Sequence, residues 1–119
     1  MVQAEIRKKL VKLRRALEKR GIRVEKMILY GSRASGRHHR DSDIDVAVVS
    51  PDFGKDRFQE GVMLFRVAGE IDARIEPIPI SVKSYENDTW VPLIHEIREK
   101  GIELTGAGMS RDIQWTTAK

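Results

Sequence analysis

Two apolar runs separated by a glycine-bearing basic stretch constrain this chain more than any other feature. The first, Met27-Ile28-Leu29-Tyr30, stops at Gly31-Ser32. The second, Ile44 to Val49, opens with Asp43 and Asp45 one residue apart. Both runs are short and bounded by turn residues, so both read as strands. Side chains alternate faces along a strand, which puts Asp43 and Asp45 on one face about 6 to 7 Å apart along the chain. Two carboxylates on one face of an otherwise apolar strand repel each other and resist burial without compensation. A hard divalent cation is the simplest compensation, because Mg²⁺ takes carboxylate and phosphate oxygens together.

The residues between the runs suit phosphate. Gly31 and Gly36 let a ligand approach the backbone and expose amide donors. Ser32 adds a hydroxyl, and Arg33 and Arg37 can pair with phosphate oxygens. No Gly-Lys-Ser/Thr follows the glycines, so this is not a Walker loop. Alone, a glycine-rich turn between strands is usually structural, and the aspartates behind it give it meaning. His38 and His39 have no partner cysteine or spaced histidine and read as solvated loop residues, and His95 reads as a surface residue of the last helix.

The rest of the chain supplies a sheet and its helices. Residues 3–20 read as an amphipathic helix with Ile6, Leu10, Leu13 and Leu17 in one stripe, stopped by Gly21. Residues 24–30 and 43–49 are the first two strands. A second helix is expected over 56–71, with Phe58, Val62, Phe65 and Ile71 as its buried stripe. Residues 74–81 read as a third strand whose Pro77 and Pro79 place it at a sheet edge. Glu76, at its start, is the next candidate for the carboxylate cluster, with Asp72 as its rival. Residues 84–89 read as a polar turn. A last helix over 90–100 turns Leu93, Ile94 and Ile97 inward, Gly101 stops it, and 102–104 make a short strand. Trp90 and Trp115 read as packing or contact residues. The pattern predicts one α/β (α+β) domain over residues 1–105, a mixed sheet with helices packed on one face and the acids on the other, followed by a flexible tail, 106–119.

The combination Gly31-Ser32, the basic loop 33–42 and Asp43-Ile44-Asp45 resembles the signature of the polymerase-beta-type nucleotidyltransferase superfamily. The small size is most similar to its minimal nucleotidyltransferase (MNT) group, and the resemblance covers roughly residues 24–81. It implies a small nucleotidyltransferase fold. It also implies a metal-dependent enzyme that moves a nucleoside monophosphate, AMP from ATP, to an acceptor hydroxyl. Asp43, Asp45 and Glu76 would be its catalytic and metal-binding residues, and Gly31, Ser32, Arg33 and Arg37 its nucleotide-binding residues. The family's third carboxylate is usually Asp, so Glu76 is a departure. Two Mg²⁺ ions, or Mn²⁺ in their place, are the implied cofactors. Larger relatives hold the acceptor on a second domain. A chain of this size would need a dimer mate or another protein, and the MNT group implies a HEPN-type toxin partner and an antitoxin role.

Composition bounds the remaining readings. The 119 residues carry 22 Lys+Arg against 18 Asp+Glu, a net charge of +4, and no cysteine. That excludes disulfides and thiolate zinc sites and suits a polyanionic partner. No apolar run approaches the roughly 20 residues of a bilayer span, and no signal-peptide core is evident, so a cytoplasmic setting is expected. A homodimer is expected from the small size and the edge strand. Two alternatives stand beside the enzyme: an inactive nucleotide- or protein-binding antitoxin module, and a nucleic-acid-binding protein using the basic first helix.

Overall fold

The first helix, α1 (Ala4–Lys19), forms on the expected stripe: Ile6, Leu10, Leu13 and Leu17 are all buried. Each buried leucine contributes about 1.5 to 3 kcal/mol relative to exposure. Its end is a paired backbone cap. Gly21, at φ 84°, donates to the Glu18 carbonyl and Ile22 donates to that of Leu17. The computed structural model describes residues 4–104 and the backbone of 115–117.

Nine further elements follow: β1 (Lys26–Tyr30), the single turn α2 (Ser32–Ser35), β2 (Ile44–Ser50), α3 (Arg57–Ile71), β3 (Ile75–Ser81), α4 (Val82–Asn87), α5 (Pro92–Lys100), β4 (Ile102–Leu104) and β5 (Trp115–Thr117). The sheet runs β3-β2-β1-β4-β5. Strand β1 is antiparallel to β2 and β4, β4 is antiparallel to β5, and β2 is parallel to β3. The parallel pair needs a crossover, which α3 provides. Strand β5 extends the sheet at positions read from sequence as loose tail; the rest of that tail lies outside the described residues.

The sheet is mixed, and its two faces differ in cover. Met27, Leu29, Ile44, Val46, Val48 and Ile75 face α1 and α3, where Leu10, Leu13, Leu64 and Val67 complete the main core. Ile28, Ala47, Val49 and Ile80 face the other way, against Tyr85 of α4 and Ile94 and Ile97 of α5. Alternation places Asp45 and Glu76 on this second face, at the strand ends farthest from α4. The long helices therefore pack opposite the acids, while two short helices cover part of the acid face.

Three sequence expectations change. In α3, Phe58 is 74% and Phe65 63% exposed, and the core side is Leu64, Val67 and Ala68. The helix carries two apolar stripes, and the aliphatic one fits the groove between α1 and the sheet. Residues 84–89 are not all turn: Ser81 caps α4 by accepting from the Ser84 amide, and Tyr85 is buried. Leu93 is 43% exposed, so only Ile94 and Ile97 of α5 face inward. Strand β3 is an edge strand, as its prolines predict. The Ile44 amide donates to the Arg74 carbonyl, which turns the even-numbered residues of β3 toward β2 and leaves Pro77 and Pro79 on the free side without N–H donors.

Candidate active site

The β1–α2 junction brings backbone against carboxylate. Gly31 adopts φ 74°, ψ −150°, a conformation reached almost only by glycine. A Cβ built on it would stand 2.5 Å from Asp45 Oδ2. Both the conformation and the space demand glycine, so the turn and the acid are fitted to each other. Gly36, at φ 79°, closes the single turn of α2 in the left-handed region by donating to the Ser32 carbonyl.

Asp45 lies opposite Tyr30 on β1 and opposite Glu76 on β3. Asp43 precedes it by one pleat, exposed at the entrance to β2. Burial pushes the Asp45 carboxyl up, and the charges of Glu76 and Asp43 push it further. The Tyr30 phenol, half-buried on the same face, is raised to about 12 by burial and then by Asp45, Glu76 and Glu96 of α5. Asp43, Asp45 and Glu76 form no ion pair with any lysine or arginine among the described residues. The Asp45 carboxylate thus sits beside like charge without an ion-pair partner among the described residues, which disfavours its ionised form.

Carboxylate oxygens are the donors Mg²⁺ takes, one or two at a time, with water and substrate phosphate in its remaining positions. Among the described residues no group of three or more His, Cys, Asp or Glu is placed to hold a metal ion by itself. Asp72, the rival third acid, is elsewhere. Its carboxylate is held by Arg74 and Lys9 beside α1, and the Arg74 guanidinium drives it far below the usual carboxylate range. Of the two candidates, only Glu76 stands beside Asp45.

Arg33 departs from its expected role. It is 5% exposed, and its guanidinium faces backbone. Nε donates to the carbonyls of Ser42 and Asp43, and Nη2 to those of His39, Arg40 and Ser42. These bonds tie α2 to the loop that delivers Asp43, so Arg33 shapes the site rather than presenting donors to a nucleotide. Arg37 does remain exposed. His38 and His39 stay apart from the acids: the His39 ring nitrogen accepts from the Asp41 amide.

A cavity of about 490 Å³ opens beside Gly31 and is lined by Gly31, Ser32, Ala34, Ser35, Arg37 and, from α5, Glu96 and Lys100. The Ser32 hydroxyl facing it has no hydrogen-bond partner among the described residues. A larger cavity, about 610 Å³, lies between α1 and the 38–41 loop and contains none of the three acids. The smaller cavity is not lined by the three acids either, and its link to them is Gly31, whose turn packs against Asp45. Sequence reasoning missed Glu96 and Lys100. Their spacing of four on one helix face was legible, but nothing local ties them to Gly31.

Comparison with known proteins agrees with this geometry. A family model described as "Nucleotidyltransferase domain" matches residues 10–104. No curated protein matches the chain. Among solved structures, "Crystal structure of the toxin-antitoxin with AMP-PNP" shares the fold at a TM-score of 0.57 and 24% identity, over 85% of this chain and 73% of that one. A mutant of the toxin–antitoxin MntA-HpeT gives a TM-score of 0.55 and 22% identity over the same shares. With the family model spanning β1 to β4, the Gly31 turn and all three acids, the chain belongs to the nucleotidyltransferase domain family of the polymerase-beta-type superfamily.

Proposed function

We propose that this protein transfers AMP from ATP to an acceptor hydroxyl on a partner protein, in the manner of an antitoxin that modifies its toxin. One observation carries the reading: Asp45 and Glu76 stand side by side on one sheet face against the Gly31 turn, with Asp43 one pleat before Asp45. In the reaction the acceptor oxygen bonds to the α-phosphorus, the bond from that phosphorus to the bridging oxygen breaks, and pyrophosphate leaves. Asp43, Asp45 and Glu76 would hold the divalent cations, two Mg²⁺ or Mn²⁺ in their place. Bound there, such ions stabilise charge on the phosphoryl oxygens. Glu76, exposed at the edge of the cluster, accepts the proton of the acceptor hydroxyl. The Gly31–Ser32 turn and Arg37 hold phosphate oxygens. Arg33 keeps the loop and Asp43 in place.

The acceptor is supported by the company this fold keeps: the two solved structures described above are toxin–antitoxin structures, one with AMP-PNP. A HEPN-type toxin is the partner we propose. No helix among the described residues is long and apolar enough to cross a membrane. A second reading, an antitoxin that acts by contact alone, draws on the exposed Phe58, Phe65 and Trp90, a large apolar surface for so small a chain.

The test is thermal stabilisation by ATP with Mg²⁺, on wild type and on Asp43→Asn/Asp45→Asn, followed by mass analysis of a co-expressed partner. Stabilisation lost in the double variant, with a 329 Da adduct (the mass of an AMP group, about 329 by composition) on the partner, supports the enzyme. Adduct formation by the double variant refutes it. Neutralisation of the partner without any adduct favours contact alone.

A further inference from the structure

The outward ridge of α1 carries a line of cations. Lys8, Lys12, Arg15 and Lys19 are all exposed, and none forms an ion pair among the described residues. At about 100° and 1.5 Å per residue, the four fall within roughly 60° of the helix circumference and run about 16 Å along its axis. The two acids of the helix are engaged with other partners: Glu5 with Lys9 and Arg74, and Glu18 with Arg14. Successive ridge cations are three or four residues apart, the spacing at which like charges destabilise a helix. Mixed signs would keep the face soluble without that repulsion. Four aligned cations are instead the electrostatic footprint of a polyanion.

The packing fixes both the ridge and its direction. Ile6, Leu10, Leu13 and Leu17 anchor α1 on the sheet face that carries Met27, Leu29 and Val46. Asp45 and Glu76 lie on the other face, with Ala47, Val49 and Ile80. The sheet therefore stands between the cations and the acids, and a polyanion on α1 is held away from the candidate active site.

We propose that the Lys8–Lys12–Arg15–Lys19 ridge docks this protein on the phosphate backbone of double-stranded DNA. The duplex is an anchor and not an acceptor, because the sheet separates it from Asp45, so the inference does not depend on the transfer reading. All four side chains are Lys or Arg, and their contacts go to phosphate, which carries no sequence information. A helix with its side chains is about 10–12 Å across and matches the major groove of B-form DNA, about 12 Å wide, with a backbone on either side. The deep, narrow major groove of an A-form RNA duplex does not admit it. Single strands are held by stacking on aromatic rings, and α1 has none.

The experiment follows fluorescence anisotropy of a labelled DNA duplex of about 20 base pairs, in EDTA, over a series of salt concentrations. The proteins are wild type, Lys12→Gln, the quadruple variant Lys8→Gln/Lys12→Gln/Arg15→Gln/Lys19→Gln, and the control Lys83→Gln on α4. Each phosphate contact contributes about 0.9 to the slope of log affinity against log salt, so wild type and the control should show a slope near −3.6. Lys12→Gln should lower its magnitude by about 0.9, and the quadruple variant should lose nearly all binding, on two unrelated duplex sequences alike. Relief of like-charge repulsion should leave the quadruple variant melting no lower than wild type, which shows that it is folded. Its stabilisation by ATP with Mg²⁺ should equal that of wild type. Absence of duplex binding by wild type at low salt overturns the proposal, as does a quadruple variant that binds like the control. Equal or tighter binding of an RNA duplex, single-stranded DNA or polyglutamate overturns the assignment to duplex DNA, the last in favour of an acidic protein on the same ridge.

Discussion

The contact between Gly31 and Asp45 yields the sharpest prediction, the consequence of Gly31→Ala. At φ 74°, ψ −150° an alanine is strained by about 1 to 3 kcal/mol on conformation alone. Its Cβ would also stand 2.5 Å from Asp45 Oδ2, so the carboxylate or the turn must move. We expect a total loss of about 2 to 4 kcal/mol, which lowers the melting temperature by roughly 8 to 15 °C for a domain of this size. The two contributions separate in a double-mutant cycle. Asp45→Ala removes the oxygen that collides but leaves the backbone strain, so Gly31→Ala should cost at least about 1 kcal/mol less in that background. Urea unfolding of the four proteins provides the numbers. Strictly additive effects would refute the collision, and a loss below about 0.5 kcal/mol in either background would refute the strain as well.

Three further outcomes follow from the same geometry. Arg33→Met removes the donors that hold the carbonyls from His39 to Asp43 and should cost about 2 to 4 kcal/mol in urea unfolding; Arg33→Lys should recover little, because an ammonium cannot span the same carbonyls. Asp72→Asn should cost about 1 to 3 kcal/mol at neutral pH through lost bonds to Arg74 and Lys9. The folded Asp72 carboxyl lies below its unfolded value near 3.9, so its stabilisation is complete above about pH 5 and falls away as pH drops toward and below that value. The variant's acid-unfolding curve should accordingly be shallower there, and an unchanged slope would contradict the assignment. On α3, Leu64→Ala should cost about 2 to 5 kcal/mol, whereas Phe65→Ser should change melting by no more than about 0.5 kcal/mol; the reverse ranking would restore the stripe read from sequence.

How far the sequence is legible depends on how local each signal is. The stripe of α1 and the strand periods on either side of Gly31 are written in adjacent residues, and the structure follows them. So is the edge position of β3, because proline lacks a donor wherever it stands. The two stripes of α3 are different: both have helical spacing, and only the shape of the groove between α1 and the sheet selects Leu64 over Phe65. Arg33 shows the same limit from another side. Its position beside Gly31-Ser32 suggests phosphate, but loop closure turns it onto carbonyls 6 to 10 residues away.

The sequence by itself determined the β1–turn–β2 unit, the glycine at its bend, the two aspartates on one strand face and the family to which they point. Those properties reside in side-chain alternation and backbone conformation, which need no distant partner. Only the tertiary structure decided that Glu76 and not Asp72 joins Asp45, because that choice depends on the register of the parallel β2–β3 pair and on the claim of Lys9 and Arg74 upon Asp72. It also decided that α5 returns to the Gly31 turn with Glu96 and Lys100. Residues separated by some seventy positions (31 to 100) meet only when sheet and helices pack, and no local pattern encodes that meeting.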